Sequence, residues 1–171
     1  MPQNYKKIAV LMGGKSSEAD ISLRTGAAIV KGLSEAGYEA IPVELSKEDN
    51  SFTLPQGTDA VYIALHGAFG EGGAVQKQLT DMGIPYTGCN EAASKIGFDK
   101  ILSRKAFANN GVTIPNGYVI EATEANYSEP KIPLPVVVKP PREGSSVGVS
   151  IVKTIEEFEP AVELARQYNP E

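Results

Sequence analysis

The sequence predicts an α/β protein in which a parallel sheet with helical crossovers comes first and a smaller α+β unit follows. Three observations carry this. Short apolar runs at 7–12, 38–45 and 60–65 alternate with helical patterns at 17–36 and 74–82, the β-α-β order that short loops force into parallel pairing. Glycines stand where those runs stop, at Gly13, Gly37, Gly67 and Gly83. Beyond residue 133, two apolar, β-branched runs (134–138 and 147–152) flank Lys-Pro-Pro-Arg-Glu-Gly-Ser-Ser, a hairpin pattern. The expected division is a first domain over 1–115 and a second, partial one over 116–171.

Each element has a local reason. Residues 7–12 are uniformly apolar after Lys7, as a strand buried on both faces requires. Ser17-Glu18-Ala19-Asp20 fits a capping box, and Ile21, Ala28, Val30 and Leu33 follow it on a helix that Gly37 stops. Residues 38–45 read as the second strand. Residues 46–59 are polar, with Pro55 and Gly57, and read as loop. Residues 60–65 read as the third strand, and 74–82 as a helix closed by Gly83. Residues 84–88 read as an extended piece and turn, and 90–109 as a helix broken near Gly97. Residues 117–120 read as a further strand, and 121–133 as loop or helix. Thr154 and Glu157 cap a last helix reaching Tyr168.

Composition narrows the functional classes. A net charge of −5, a pI near 5.0 and the lack of any Lys/Arg block argue against a nucleic-acid footprint. The longest apolar runs are strand-sized, short of the roughly 18 residues of a membrane span. The N-terminus enters a strand without a signal-peptide pattern, which points to the cytoplasm. Cys89 stands alone, so there is neither a disulfide framework nor a zinc set.

Ligands of parallel α/β sheets gather beyond the carboxyl ends of the strands, and the candidate residues lie there. Gly14-Lys15-Ser16 looks like the end of a Walker A loop, but Ala9 stands where that motif needs glycine. What remains is a strand end and helix start, with Glu18 in the first turn, where a helix dipole favours a carboxylate whatever its use. His66, the only histidine, ends the third strand and opens a stretch with four glycines in eight residues. Such a stretch suggests a backbone kept clear for a ligand, with Glu71 a candidate partner for the imidazole. Lys100 on a helix reads as solvated by itself, whereas Lys139 closes an apolar strand and points at a cleft. The hairpin tip exposes amides and hydroxyls that, with a lysine, suit a phosphate; an ordinary surface turn has the same composition.

Four segments occur together and in order: GGKSSEADISLRTG (13–26), LHGAFGEGG (65–73), IPYTGCNEAASKIGFDK (84–100) and VVVKPPREGSSVGVS (136–150). On these the chain resembles the D-alanine–D-alanine ligases of the ATP-grasp superfamily, from about residue 7 to 168. The resemblance implies a Rossmann-like, pre-ATP-grasp N-terminal domain followed by the start of an ATP-grasp central domain. It implies ATP-dependent joining of two D-alanines for peptidoglycan precursors, with magnesium bound by ligands outside this chain. Glu18 would hold the ammonium of the first D-alanine, and His66 would orient its carboxylate, with Glu71 supporting the glycine-rich loop. Lys100 and Lys139 would bind ATP phosphates under a cover formed by Glu143, Gly144, Ser145, Ser146 and Val147. Ser145 would also position substrate and phosphate in a network reaching Glu18. Homodimerisation through the first domain is implied as well.

The chain departs from the family pattern at three places. Ala19 and Asp20 stand where arginine and glutamate are usual, Gly72 replaces an aspartate, and Phe98 replaces a common methionine. The family's adenine pocket, magnesium carboxylates, acyl-phosphate arginine and mobile tyrosine loop lie downstream of what matches residue 168. The expectation is therefore an N-terminal piece of the enzyme that folds without turning over. A stand-alone binding module on the same scaffold, or a ligase with another acceptor such as D-lactate, are the alternatives.

Overall fold

In the computed structural model, residues 5–121, 123–124 and 127–168 are described. The N-terminal Met-Pro-Gln-Asn, residues 169–171 and parts of the 121–133 connection lie outside the described residues. By contacts the chain divides between Lys95 and Ile96 into two compact units. This lies ahead of the expected boundary after residue 115.

The first unit is built on β1 (Lys7–Gly13), β2 (Glu39–Leu45) and β3 (Ala60–Ile63), in the order β2-β1-β3 with both pairings parallel. The central strand β1 is buried along almost its whole length, and its alternating side chains feed two cores. Ala9 and Leu11 pack with Val43, Leu45, Val61, Val75 and Leu79 on the face covered by α3 (Ala74–Asp81). Val10 and Met12 pack with Leu23, Ile29, Val30 and Leu33 of α1 (Ala19–Glu35) on the other. A strand sandwiched between two helices needs apolar residues on both faces, which is why 8–12 show no polar alternation. Val61 bridges Tyr86 in parallel, so the extended piece at 84–88 adds a short ladder beside β3.

The start of α1 differs from the expected capping box. Glu18 occupies the N-cap position, and no side chain caps the helix. The Ser16 hydroxyl instead accepts from the Glu18 N–H at 3.1 Å. Ser22, one turn inside, is fully buried: its Oγ accepts from Gly13 N at 2.9 Å and donates to Ala64 O at 2.7 Å. The glycine-rich stretch holds a single turn, α2 (Ala68–Glu71). The helix expected over 90–109 is two helices, α4 (Glu91–Phe98) and α5 (Lys100–Asn109), broken at Asp99 rather than at Gly97. Asp99 is extended, and its carboxylate caps α5, which ends one helix as it starts the next.

In the second unit β4 (Val136–Val138) pairs antiparallel with β5 (Ser150–Val152), the predicted hairpin. The strand expected at 117–120 does not form; an apolar run without a pairing partner gains no ladder bonds. Thr154 and Glu157 make the predicted capping box on the 3₁₀ turn Ile155–Glu157, which runs into α6 (Phe158–Tyr168). Val136, Val152, Phe158, Ala161 and Val162 form this unit's core. Among the described residues no helix is long and apolar enough to cross a membrane.

Ser22→Ala should cost about 1–3 kcal/mol, because it strands a buried N–H and a buried carbonyl at two strand ends. Urea denaturation checks this, with Ser17→Ala, exposed in the same loop, as the near-neutral control; equal stabilities would remove the clamp assigned to Ser22.

Candidate active site

In the first unit, the loops after β1 and β3 meet at the carboxyl edge of the sheet. Gly67 has φ +83°, and a Cβ there would lie 2.8 Å from Ser16 Oγ and 4.0 Å from Glu18 Oε2. The carboxylate of Glu18 therefore stands beside the backbone that follows His66, and a side chain at 67 would push the two loops apart. His66 is half-buried, with Nε2 3.4 Å from Thr25 Oγ1 of α1. Glu71 does not take the imidazole: its Oε2 accepts from Gly67 N at 3.0 Å, closing the loop on itself.

The glycine richness also has an internal reason. A Cβ on Gly70 would meet Leu65 at 2.5 Å, so close packing against β3 requires glycine there whether or not a ligand binds. Buried Gln76 adds a second restraint, donating Nε2 to Gly70 O at 2.7 Å. An open pocket of about 430 Å3 beside the β1 loop is lined by Gly14, Lys15, Ser16, Ser17, Ala19 and Lys47.

The second unit carries the other candidates. Residues 139–149 link β4 to β5, and both ends of the loop are anchored. Pro140 is fully buried, and Gly148 (φ +65°) packs so closely that a Cβ would meet Tyr168 at 2.8 Å and Pro140 at 2.9 Å. Between these anchors Ser145 (φ 48°) and Ser146 (φ 64°) are left-handed without being glycine, a conformation that side chains resist and that favours turns with inward N–H groups. Gly144 O accepts from Val147 N at 3.0 Å, which folds the tip into a turn.

Lys100 opens α5 and reaches this loop, its Nζ donating to Glu143 O at 2.5 Å. Burial, and then the charge of neighbouring Lys139, hold the Lys100 ammonium below the ordinary lysine value of 10.5, against the pull of Glu143 and Asp99. Two cations kept within each other's field, one of them partly desolvated, make a place where an anion is favoured. Asp99 and Arg142, which the sequence reading left aside, lie in the same cluster. Asp99 is 7% exposed, and its Oδ2 lies 3.0 Å from Arg142 Nε. Burial alone would raise its pKa, but the Leu102 N–H, the Arg142 guanidinium and the Ile101 N–H outweigh it and hold the carboxyl below its usual value.

Glu18, His66 and Glu71 thus belong to the first unit, and Lys100, Lys139 and the 143–147 tip to the second. Among the described residues no three His, Cys, Asp or Glu side chains converge as a metal set would.

The fold is that of a solved class of enzymes. The crystal structure of a D-alanine–D-alanine ligase from Bacillus anthracis superposes with TM-score 0.83 at 34% identity, covering 96% of this chain and 55% of that one. A D-alanyl-alanine synthetase A from Vibrio cholerae gives 0.77 at 28% identity, covering 98% and 58%. The architecture is therefore the Rossmann-like domain and part of the ATP-grasp domain of such ligases. Residues 7–58 match the family model described as D-ala D-ala ligase N-terminus, and residues 112–171 the one described as D-ala D-ala ligase C-terminus. The D-alanine–D-alanine ligase of Geobacter sulfurreducens is 44% identical over 164 residues, 95% of this chain and 52% of that protein. That of Geotalea uraniireducens is 43% identical, over 97% of this chain and 54% of its own length. The chain belongs to the D-alanine–D-alanine ligase family. It spans about half the length of the curated relatives it matches.

Because the folded-state pKa of Lys100 is lowered, the buried charge opposes folding below that value, and the opposition fades as pH rises through it. Lys139→Met should move the Lys100 pKa back up, though not fully to 10.5, since burial is the larger cause. Titrating the 13Cε resonance of labelled Lys100 checks this; an unchanged or lower value would mean that Lys139's charge does not reach it.

Proposed function

We propose that the chain supplies the D-alanine-binding and phosphate-binding parts of an ATP-dependent D-alanine–D-alanine ligase, a cytoplasmic, homodimeric enzyme making peptidoglycan precursors. The observation that carries this reading is the Lys100 ammonium bonded to Glu143 O, next to the left-handed 145–146 tip and in the field of Lys139, in a chain whose relatives bear that name along nearly all of it.

In the reaction, a carboxylate oxygen of the first D-alanine attacks the γ-phosphorus of ATP, and the bond to the ADP oxygen breaks. The amine of the second D-alanine then attacks the acyl-phosphate carbon, losing a proton as phosphate leaves. Both steps depend on placing charges rather than on protein nucleophiles. Glu18 holds the first ammonium, and His66, steadied by Thr25, faces the carboxylate, while Glu71 holds the loop through Gly67. Lys100 and Lys139 neutralise the phosphates, and residues 143–147 cover them, with Ser145 placing its hydroxyl at the transferring group. Two cations and an amide-rich tip fit a polyphosphate. Bound magnesium would add charge neutralisation at the phosphates, and no residue of this chain is assigned to it.

The test is D-alanine-dependent phosphate release from magnesium-ATP by the product of the natural gene. Release requiring D-alanine supports the reading, and hydrolysis indifferent to D-alanine, or none, removes it. Since the chain spans about half of its relatives, these 171 residues alone are expected to give no turnover.

In the active protein, Glu18→Gln should raise the KM for D-alanine at least about tenfold, the factor that ~1.4 kcal/mol gives. The KM for ATP should stay put. Steady-state kinetics with each substrate varied checks this, and a shift in the ATP KM alone would move Glu18 out of the amine site.

A further inference from the structure

We propose that Asp99 is a positioning residue that, through Arg142, holds the 139–149 loop against the start of α5 and so keeps Lys100 and Lys139 on one anion. This rests on the phosphate reading of the two lysines given above.

The geometry is a short zipper between two stretches far apart in sequence. Asp99 Oδ2 takes Arg142 Nε at 3.0 Å across 43 positions. The next residue, Lys100, is engaged twice. Its backbone N–H, one of the donors that a helix start leaves without an internal partner, donates to Pro141 O at 2.9 Å. Its Nζ donates to Glu143 O at 2.5 Å. Three consecutive loop residues, Pro141, Arg142 and Glu143, are thus gripped by two consecutive helix-start residues. Moving the loop away from the start of α5 would break all three contacts. Lys139, itself exposed, lies two residues ahead of Pro141 on the same segment, so the register fixes where its backbone stands relative to Lys100.

Capping does not explain Asp99 by itself. Its Oδ1 accepts from Ile101 N at 2.8 Å and Leu102 N at 3.0 Å, and asparagine or serine would cap equally well. A nearly buried carboxylate is costly unless its remaining oxygen also finds a strong donor. Arg142 provides one, as a charge-assisted bond. Arg142 for its part does not need Asp99 for stability, because its side chain is 52% exposed and stays solvated without the pair.

The experiment uses the 171-residue chain with 13C-labelled lysines and inorganic tripolyphosphate as the probe. Binding is read from the Lys100 and Lys139 side-chain resonances, and melting temperature is read in parallel. Asp99→Asn keeps the cap and removes the charge holding Arg142; Arg142→Met removes the partner and keeps the chain length. Simple Coulomb attraction predicts that Asp99→Asn tightens anion binding, since it deletes a negative charge beside the site. Positioning predicts the opposite: each variant weakens tripolyphosphate about tenfold, a loss typical of one charge-assisted contact. The double variant is then no weaker than either single one, because both break the same link; the melting temperature falls for Arg142→Met, which strands a nearly buried carboxylate, and barely moves for Asp99→Asn. Tighter or unchanged binding by Asp99→Asn, or fully additive losses in the double variant, overturns the proposal. Lys100→Met separates the two layers. If it abolishes binding while Asp99→Asn does not weaken it, the lysine reading stands and the positioning role falls. If it binds as well as the parent chain, the lysine reading itself fails.

Discussion

The hydroxyl of Ser22 is the smallest part on which the first unit depends. By accepting from Gly13 N and donating to Ala64 O, it ties the ends of two neighbouring parallel strands to the first turns of α1. The ladder sets the stagger of the two strands as far as Ala64, whose N–H donates to Leu11 O, and Ser22 continues the tie where the loops begin. Here the stagger decides whether the loop bearing Glu18 and the loop bearing His66 meet or miss. Their meeting at Gly67, within 2.8 Å of Ser16 Oγ if a Cβ were present, lies just beyond that buried contact. Removing it would leave the sheet core intact and let the site edge drift.

The second unit solves the same problem with a charge in place of a hydroxyl. Its sheet is a two-stranded hairpin over one helix, too small to fix an eleven-residue loop by packing alone. The loop is pinned instead by Pro140 and Gly148 at its base and by the Asp99–Arg142 and Lys100–Glu143 contacts along one arm. In both units, side chain to backbone bonds at element ends place the polar groups, while the apolar residues set the layers. A reader of the chain sees the layers far more easily than the placement.

That difference accounts for what was legible. The strands of the first unit and the Thr154–Glu157 box were readable because their signals lie within a few neighbouring residues. Ser17 to Asp20 carried an equally good box pattern and did not form one: the helix starts one residue later, with Glu18 at the N-cap and its N–H taken by the Ser16 hydroxyl. Residues 117–120 were apolar enough for a strand but had no partner to pair with. The break expected near Gly97 falls at Asp99, whose capping bonds to Ile101 and Leu102 fix its place. Glu18, His66 and Lys139 were visible because each sits where a strand stops. Thr25, Gln76 and Arg142 carried no such mark. Their partners are respectively 41, 6 and 43 residues away, and only the fold brings them near.

The electrostatics of the second unit point in one direction. A lysine that is merely structural gains by facing a carboxylate, which raises its pKa, as Asp81 does for Lys77 and Glu124 for Lys131. Lys100 shows the reverse: it is partly buried, it spends its ammonium on a backbone carbonyl, and it feels Lys139 more than it feels Glu143 or Asp99. Asp99 acts on Lys100 only through its field, because its oxygens are bonded to the helix N-terminus and to Arg142. Folding therefore sets two ammonium groups within each other's field at one spot, where Glu143 and Asp99 offset their charge only in part. Such an arrangement costs stability when empty and returns it when an anion arrives. A ligand with several linked negative charges satisfies both lysines at once, which a single carboxylate cannot do.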